Sequence, residues 1–320
     1  MTLKSRSLLT GTELSRDELV DLINLAETLK VERLKGIPRK DLLGKSLVLL
    51  FEKPSLRTHI SFTIAMQELG GTVIDSFSFN RKKEEPEDVG RVLSGYCHGI
   101  MLRTHEHSIL ERMAQKISVP LINGLSDTHH PCQVLADLLT LKQSFNRLDG
   151  LKVAYVGDGN NILHSLLLLL PPLGIHLSYA CPKGYEPNAF VLREARARAS
   201  DWGGSIRAAK DPASAVKGTH AIYTDVWTSM GFEAEVGERE EAFNGFQVNE
   251  SLYSLAQNDA VVMHCLPMVR GKEITDAMAE HANSVLFRQS ENRLHVQKAL
   301  LLGMIPAGEK VCSYATAALV

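Results

Sequence analysis

The chain has 320 residues, 44% of them apolar and 22% charged, with a formal net charge of −2. That length accommodates two domains of ordinary globular composition. The near-neutral balance excludes a polyanion-binding surface, so nucleic acid is not an expected partner. No membrane partner is expected either: the richest apolar run, Leu166–Leu170, stops at Pro171-Pro172 and is far too short to span a bilayer. No apolar core follows Met1–Arg6, and the cysteines at 97, 132, 181, 265 and 312 are scattered and odd in number. We read them as reduced thiols in a cytoplasmic protein.

In chain order, Ser15–Arg33 reads as an amphipathic helix, with Leu19, Leu22, Ile23, Leu25, Ala26 and Leu29 apolar. Ser46–Phe51 is a short apolar strand, and the pattern from Leu56 to Leu69 is helical, stopped by Gly70-Gly71. Thr72–Asp75 starts another strand. Residues 76–87 are polar, carry Pro86, and predict a loop. Asp88–Tyr96 reads as a helix, and Gly99–Leu102 and Val119–Ile122 as strands, the second weakened by Pro120. Gln133–Phe145 is helical and able to bridge two domains, and 146–150 is a turn. A second alternation follows: strand Val153–Val156, a Gly-containing turn, a helix through Leu170, then strands at 177–180, 221–224 and 260–263. A last helix, Arg293–Leu302, closes the pattern and packs back on the first domain. β-α-β-α order, twice, predicts two doubly wound parallel-sheet α/β domains with an active-site cleft between them. The expected division is 1–150, 151–292 and a returning helix with its tail, 293–320.

Polar clusters follow the apolar strand runs: Ser55-Leu56-Arg57-Thr58, Arg103-Thr104, His130-Pro131-Cys132-Gln133, Asp158-Gly159-Asn160-Asn161, Asp225–Gly231 and His264-Cys265-Leu266-Pro267. Ligands of open parallel sheets sit beyond the carboxyl ends of strands, so repeated polar clusters there predict one convergent cleft. The first cluster opens a helix. Unpaired N–H groups, the positive dipole end, two hydroxyls and a guanidinium make an anion site, and a phosphate-bearing substrate is expected. Gly157-Asp158-Gly159 is a weak dinucleotide signal, because Ile162 stands where a third glycine belongs. His129, His130, Cys132, His264 and Cys265 fit no standard zinc spacing. As a lone thiol Cys265 reads as a small buried hydrophobe; the alternative is a reactive thiolate formed with help from His264.

Together these motifs resemble the aspartate/ornithine carbamoyltransferase family over nearly the whole chain. Ser55–Thr58 is similar to its carbamoyl phosphate loop, His130–Gln133 to its H-P-x-Q element, and Glu291-Asn292-Arg293 to its late Arg motif. Asp225–Gly231 and His264–Pro267 match the D-x-x-x-S-M-G and H-C-L-P of the ornithine branch. The resemblance implies carbamoyl transfer from carbamoyl phosphate to the δ-amine of L-ornithine, giving L-citrulline and phosphate, in arginine metabolism.

By the same resemblance, carbamoyl phosphate meets Ser55, Leu56, Arg57, Thr58, Arg103, His130, Gln133, Cys265, Leu266 and Arg293. Ornithine meets Asn161, Asp225, Ser229 and Met230. Arg103, His130, Cys265 and Arg293 are the implied catalytic set, with Cys265 the candidate for assisting loss of the amine proton. No metal or organic cofactor is implied, and the expected assembly is a homotrimer with sites at subunit interfaces. The chain departs from the family in three places. His59 replaces the second Arg of S-x-R-T-R, Phe79 stands where relatives place Gln or His, and Met268-Val269-Arg270-Gly271 replaces A-H-R-G. Either His59 supports the phosphate loop as a cation, making carbamoyl phosphate affinity pH-dependent, or it is a bystander. Competing expectations are a sister enzyme using putrescine or an N-acylated ornithine, and a non-catalytic carbamoyl phosphate-binding paralogue.

Overall fold

The computed structural model describes residues 2–76, 84–228 and 233–306. The first half runs β1 (Ser7–Leu8), α1 (Arg16–Leu34), β2 (Ser46–Phe51), α2 (Leu56–Glu68), β3 (Thr72–Ser76), α3 (Pro86–Ser94), β4 (Gly99–Arg103), α4 (His107–Ala114), β5 (Leu121–Leu125) and α5 (Pro131–Phe145). The second half runs β6 (Lys152–Val156), α6 (Asn161–Leu169), β7 (His176–Ala180), α7 (Ala189–Trp202), β8 (Ser205–Ala208), α8 (Pro212–Val216), β9 (Ala221–Thr224), α9 (Val236–Ala242), α10 (Glu250–Tyr253), β10 (Val261–His264), α11 (Asp276–Ala279) and α12 (Leu286–Met304). All strand pairs of the two five-stranded sheets are parallel. Central strands such as β2 and β4 are apolar along their length because helices cover both faces.

Local chemistry sets the element ends. Ser15 caps α1, its Oγ accepting from the Glu18 N–H at 3.2 Å while Glu18 Oε2 accepts from the Ser15 N–H at 2.9 Å. Pro120 stands just before β5, outside the ladder it would have weakened. One expectation needs correction: Pro86 does not belong to a loop but opens α3, where the missing proline N–H costs no helix bond. Residues 77–83, with Phe79, lie outside the described residues.

Sheet order positions the cleft. The first sheet is ordered β1-β5-β4-β2-β3 and the second β10-β9-β6-β7-β8. The direction of winding reverses between β2 and β4, and again between β6 and β9. At such a switch point adjacent loops leave in opposite directions and open a crevice beyond the strand ends. Ser55–Thr58, Arg103, Asp158–Asn161 and Asp225 all emerge there.

The last helix ties the halves together. α12 begins at Leu286, seven residues before the expected Arg293, and packs on α1, α2 and α5 and against β10. Val296, Ala299, Leu300 and Leu301 are buried in the main core with residues of α1, α5 and β6. Among the described residues, no helix is long and apolar enough to cross a membrane.

Candidate active site

All six polar clusters reach one cavity of about 720 Å³, lined by residues of both halves and by Arg293 of α12. Within it, α2 begins at Leu56 with no side-chain cap from Ser55, so its dipole end faces the cavity. Arg103 NH1 donates to Ser55 Oγ at 3.1 Å, and Arg293 NH2 donates to Thr58 Oγ1 at 2.9 Å. Arg57 lines the same wall. Burial, then the charges of Arg293 and Arg57, pulls the Arg103 guanidinium down to about 10. Burial likewise lowers Arg293, with Arg57 among the causes. Like charges held together out of water are costly, so an anion of two charges is the natural occupant.

His130 ends the loop after β5, and its N–H donates to Ser165 Oγ of α6 at 2.8 Å. Burial and then Arg293, Arg103 and Arg57 hold its imidazole well below the usual range. It is therefore a neutral hydrogen-bonding group at neutral pH and not an acid. Gln133 Oε1 accepts from Arg293 NH1 at 3.2 Å. Cys132 turns away: it is buried and its Sγ donates to the Asn123 carbonyl at 3.4 Å.

On the opposite wall, Asp225 collects three donors. Its Oδ1 accepts from Cys265 Sγ at 3.0 Å and from the Val226 N–H at 2.8 Å, and its Oδ2 accepts from Asn160 Nδ2 at 2.8 Å. Burial, and then Asp225, pushes the Cys265 thiol well above its ordinary value. This overturns the thiolate expectation. Cys265 is a protonated donor, and His264 does not activate it. The His264 Nε2 meets Glu273 Oε1 at 3.0 Å, and its Nδ1 accepts from the Leu266 N–H at 2.9 Å. Donor atoms of Asp225, His264 and Cys265 lie within 4.8 Å of one another, but both His264 nitrogens are already engaged. Leu266 lines the cavity in a left-handed conformation, φ 57°.

Asn161 also lines the cavity, its Nδ2 donating to the Ser126 carbonyl at 2.7 Å. Ser229 and Met230 lie outside the described residues. His59 does not line the cavity. Its Nε2 stands 2.9 Å from Asp75 Oδ1 on β3 and its ring packs edge-on to Phe51. It braces α2, the helix that the phosphate loop opens, against the sheet, and does not itself reach the cavity.

Sequence reasoning placed Asp158 and Asn160 in a strand-end cluster but gave Asn160 no role and did not pair Asp158 with Arg239. Asn160 caps α6 and orients Asp225, and an Asn before a helical run was its available signal. Arg239 NH1 donates to Asp158 Oδ2 at 2.8 Å and to the Trp227 carbonyl at 2.9 Å, over a separation that no local pattern reports. Gly159 is required between them: a Cβ there would stand 2.4 Å from backbone atoms of Glu186 and Pro187.

A family model described as aspartate/ornithine carbamoyltransferase, carbamoyl-P binding domain, matches residues 6–143, and its companion Asp/Orn binding domain matches residues 149–304. The chain belongs to the aspartate/ornithine carbamoyltransferase family. An ornithine carbamoyltransferase of Methanosarcina mazei is 46% identical over 303 residues, covering 94% of this chain and 99% of the relative. One from Anoxybacillus flavithermus is 44% identical over 306 residues, 95% of this chain and 98% of the relative. The solved ornithine carbamoyltransferase of Pyrococcus furiosus superposes with a TM-score of 0.93 at 43% identity, covering 97% of this chain and 100% of that one. Within this family fold the carbamoyl-P half carries Arg57 and Arg103, and the Asp/Orn match carries Asp225, Cys265 and, on α12, Arg293.

Beside the cleft three imidazoles cluster, His107 edge-on to His129 with centroids 4.9 Å apart and His129 tilted against His164 at 6.2 Å. Burial, then the neighbouring His107 and His164, pulls His129 down to about 3, and burial lowers both neighbours too. The folded state therefore holds neutral rings that the unfolded chain protonates below about pH 6.5. Stability present above that pH is lost as pH falls towards 3. His129 alone accounts for about 2 kcal/mol lost by pH 5. Calorimetric Tm should drop between pH 7 and 5, and His129→Phe should shrink that drop. Equal Tm–pH slopes in the two proteins would refute this.

Proposed function

We propose that the chain is an ornithine carbamoyltransferase, converting carbamoyl phosphate and L-ornithine to L-citrulline and phosphate. One observation carries the reading: Arg57, Arg103 and Arg293 converge with the α2 N-terminus across a shared cavity from the Asp225–Cys265 pair. The cationic wall suits a phosphate dianion, and the acidic wall suits an amino-acid amine.

In this reading residues 1–150 hold carbamoyl phosphate, 151–292 hold ornithine, and the helix that carries Arg293 returns to the first half, with a tail to 320. Ser55, Leu56, Arg57 and Thr58 receive the phosphate with Arg103 and Arg293. Thr58, Arg103 and neutral His130 donate to the carbonyl oxygen where negative charge develops. Gln133 Oε1 accepts from the carbamoyl NH2 group, and Leu266 and Cys265 complete that pocket. Asn161, Asp225, Ser229 and Met230 hold the amino-acid head. The δ-amine attacks only when neutral; three nearby guanidiniums disfavour its ammonium form, and the Cys265–Asp225 pair orients it. The nitrogen–carbon bond forms, the carbon–oxygen bond to phosphate breaks, and the proton given up by the nitrogen passes to the departing phosphate.

We also propose a homotrimer working in the cytoplasm. Supporting the assembly, β3 is a sheet edge with Ile74 exposed, and Leu56 and Ile60 are exposed on α2. Sedimentation should give three times the chain mass of 35.3 kDa, and a monomer would refute it.

Citrulline-type product formation with ornithine, putrescine and N-acetylornithine in parallel tests the function. Ornithine should be preferred by about a hundredfold or more in kcat/KM, as expected when a buried polar pocket is left unpaired by an analogue. Comparable turnover of putrescine, or none with ornithine, rejects the reading. Arg57→Ala should lose roughly 3–5 kcal/mol of transition-state stabilisation, the range for breaking a buried charge contact. A variant within about threefold of the parent would remove Arg57 from the phosphate site.

A further inference from the structure

Behind the cavity wall lies a buried polar knot that the catalytic reading leaves unused. Asp137 is on α5, one turn beyond Gln133, and is fully buried. Its Oδ1 accepts from Gln133 Nε2 at 2.9 Å and from Gln289 Nε2 of α12 at 2.7 Å. Gln289 Oε1 in turn accepts from the His264 N–H at 3.0 Å, and the Tyr223 hydroxyl receives the Gln289 amide at 3.1 Å. One carboxylate oxygen thus ties α5 to α12, and through α12 to the strand end that carries Cys265.

The chemistry of these groups fixes a direction. An amide has a donating and an accepting end, of nearly equal shape. A backbone N–H can only donate, so His264 requires Gln289 Oε1 on its side and turns Gln289 Nε2 towards Asp137. That makes Asp137 Oδ1 an acceptor. Burial pushes the Asp137 carboxyl up to about 7, against the amides of Gln133 and Gln289, the Tyr223 hydroxyl and the Arg293 charge. A proton taken up on the other oxygen leaves Oδ1 accepting. Gln133 must then present Nε2 to Asp137 and Oε1 to the cavity side. Arg293, which only donates, agrees from the other end at 3.2 Å.

We propose that Asp137 is a positioning residue that sets the polarity of the Gln133 amide, so that an acceptor faces the NH2 group of the carbamoyl donor. This rests on the carbamoyl phosphate reading of the cavity. It makes Asp137 a determinant of donor specificity: a carbamoyl group supplies hydrogens to that acceptor, and an acetyl group of the same shape does not. With Asp137 replaced by an apolar side chain, Gln133 Nε2 loses its buried acceptor and only Arg293 still holds the amide; an amide that turns to bring its NH2 to the cavity opposes two donors to the substrate NH2.

The test uses two stable ligands that differ at that group alone, phosphonoacetamide and acetonylphosphonate, titrated by calorimetry into the full-length protein. The parent should prefer phosphonoacetamide by about tenfold or more, one buried hydrogen bond's worth of discrimination. In Asp137→Leu the preference should fall about tenfold, chiefly through weaker phosphonoacetamide binding. Where Asp137→Leu does not fold, Asp137→Ser, whose hydroxyl both donates and accepts, is read the same way. Asp137→Asn keeps an amide oxygen available to both glutamines and should restore the parent's ratio within about threefold. Equal weakening of the two ligands in Asp137→Leu, or loss of the ratio in Asp137→Asn, overturns the assignment. A parent that binds neither ligand overturns the reading of the cavity beneath it, a separate outcome.

Discussion

The site depends on holding Arg57, Arg103 and Arg293 together in one cavity with the hydroxyls of Ser55 and Thr58 between them. Three guanidiniums repel one another and resist burial. They are tolerated because hydroxyls and the Gln133 carbonyl oxygen take up donors without cancelling charge. A neighbouring carboxylate would satisfy them more fully and would abolish the anion site. The positive field left over is what a phosphate ester would neutralise. The same field, with burial, keeps His130 neutral and disfavours a charged amine nearby.

Fold topology makes this concentration possible. Each sheet reverses its winding once, and the two crevices so formed face a common cavity. α12 then carries Arg293 into it while packing on α1, α2 and α5. Its polar residues do the cross-linking: Gln289 reaches α5 and β10, and Asn292 Nδ2 donates to Thr140 Oγ1 at 2.8 Å. These contacts join the halves through groups that must be satisfied inside the protein, so the relative placement of the two walls is specified by hydrogen bonds as well as by apolar area.

Most of the architecture was legible because its signals are local. Apolar runs bounded by turns gave β2, β4, β6, β9 and β10, and the 3.6-residue period gave α1, α2 and α5. Short or polar elements escaped: α4 spans only eight residues, α7 is largely polar, β8 has four residues and β1 two. Pro86 was misread because a proline reads alike in a loop and at the first position of a helix. In the site, clusters adjacent in sequence to strand ends were visible. The roles of Arg239, Asp137 and Gln289 were not, since each acts through a partner far along the chain.

The sequence by itself determined the alternation of strands and helices, the six strand-end clusters and, through their order and spacing, the family. Those properties are written in contiguous residues, and local sterics and periodicity translate them directly. Only the tertiary structure decided what each side chain is chemically. Cys265 beside His264 reads as a buried hydrophobe or, alternatively, as part of a thiolate pair, yet packing turns His264 to Glu273 and makes the thiol a donor to Asp225. His59 in an arginine's place reads as a cation for the phosphate loop or as a bystander, yet the edge strand supplies Asp75 as its partner. Protonation state and hydrogen-bond direction follow from burial and from which groups converge, and convergence is a property of the folded chain alone.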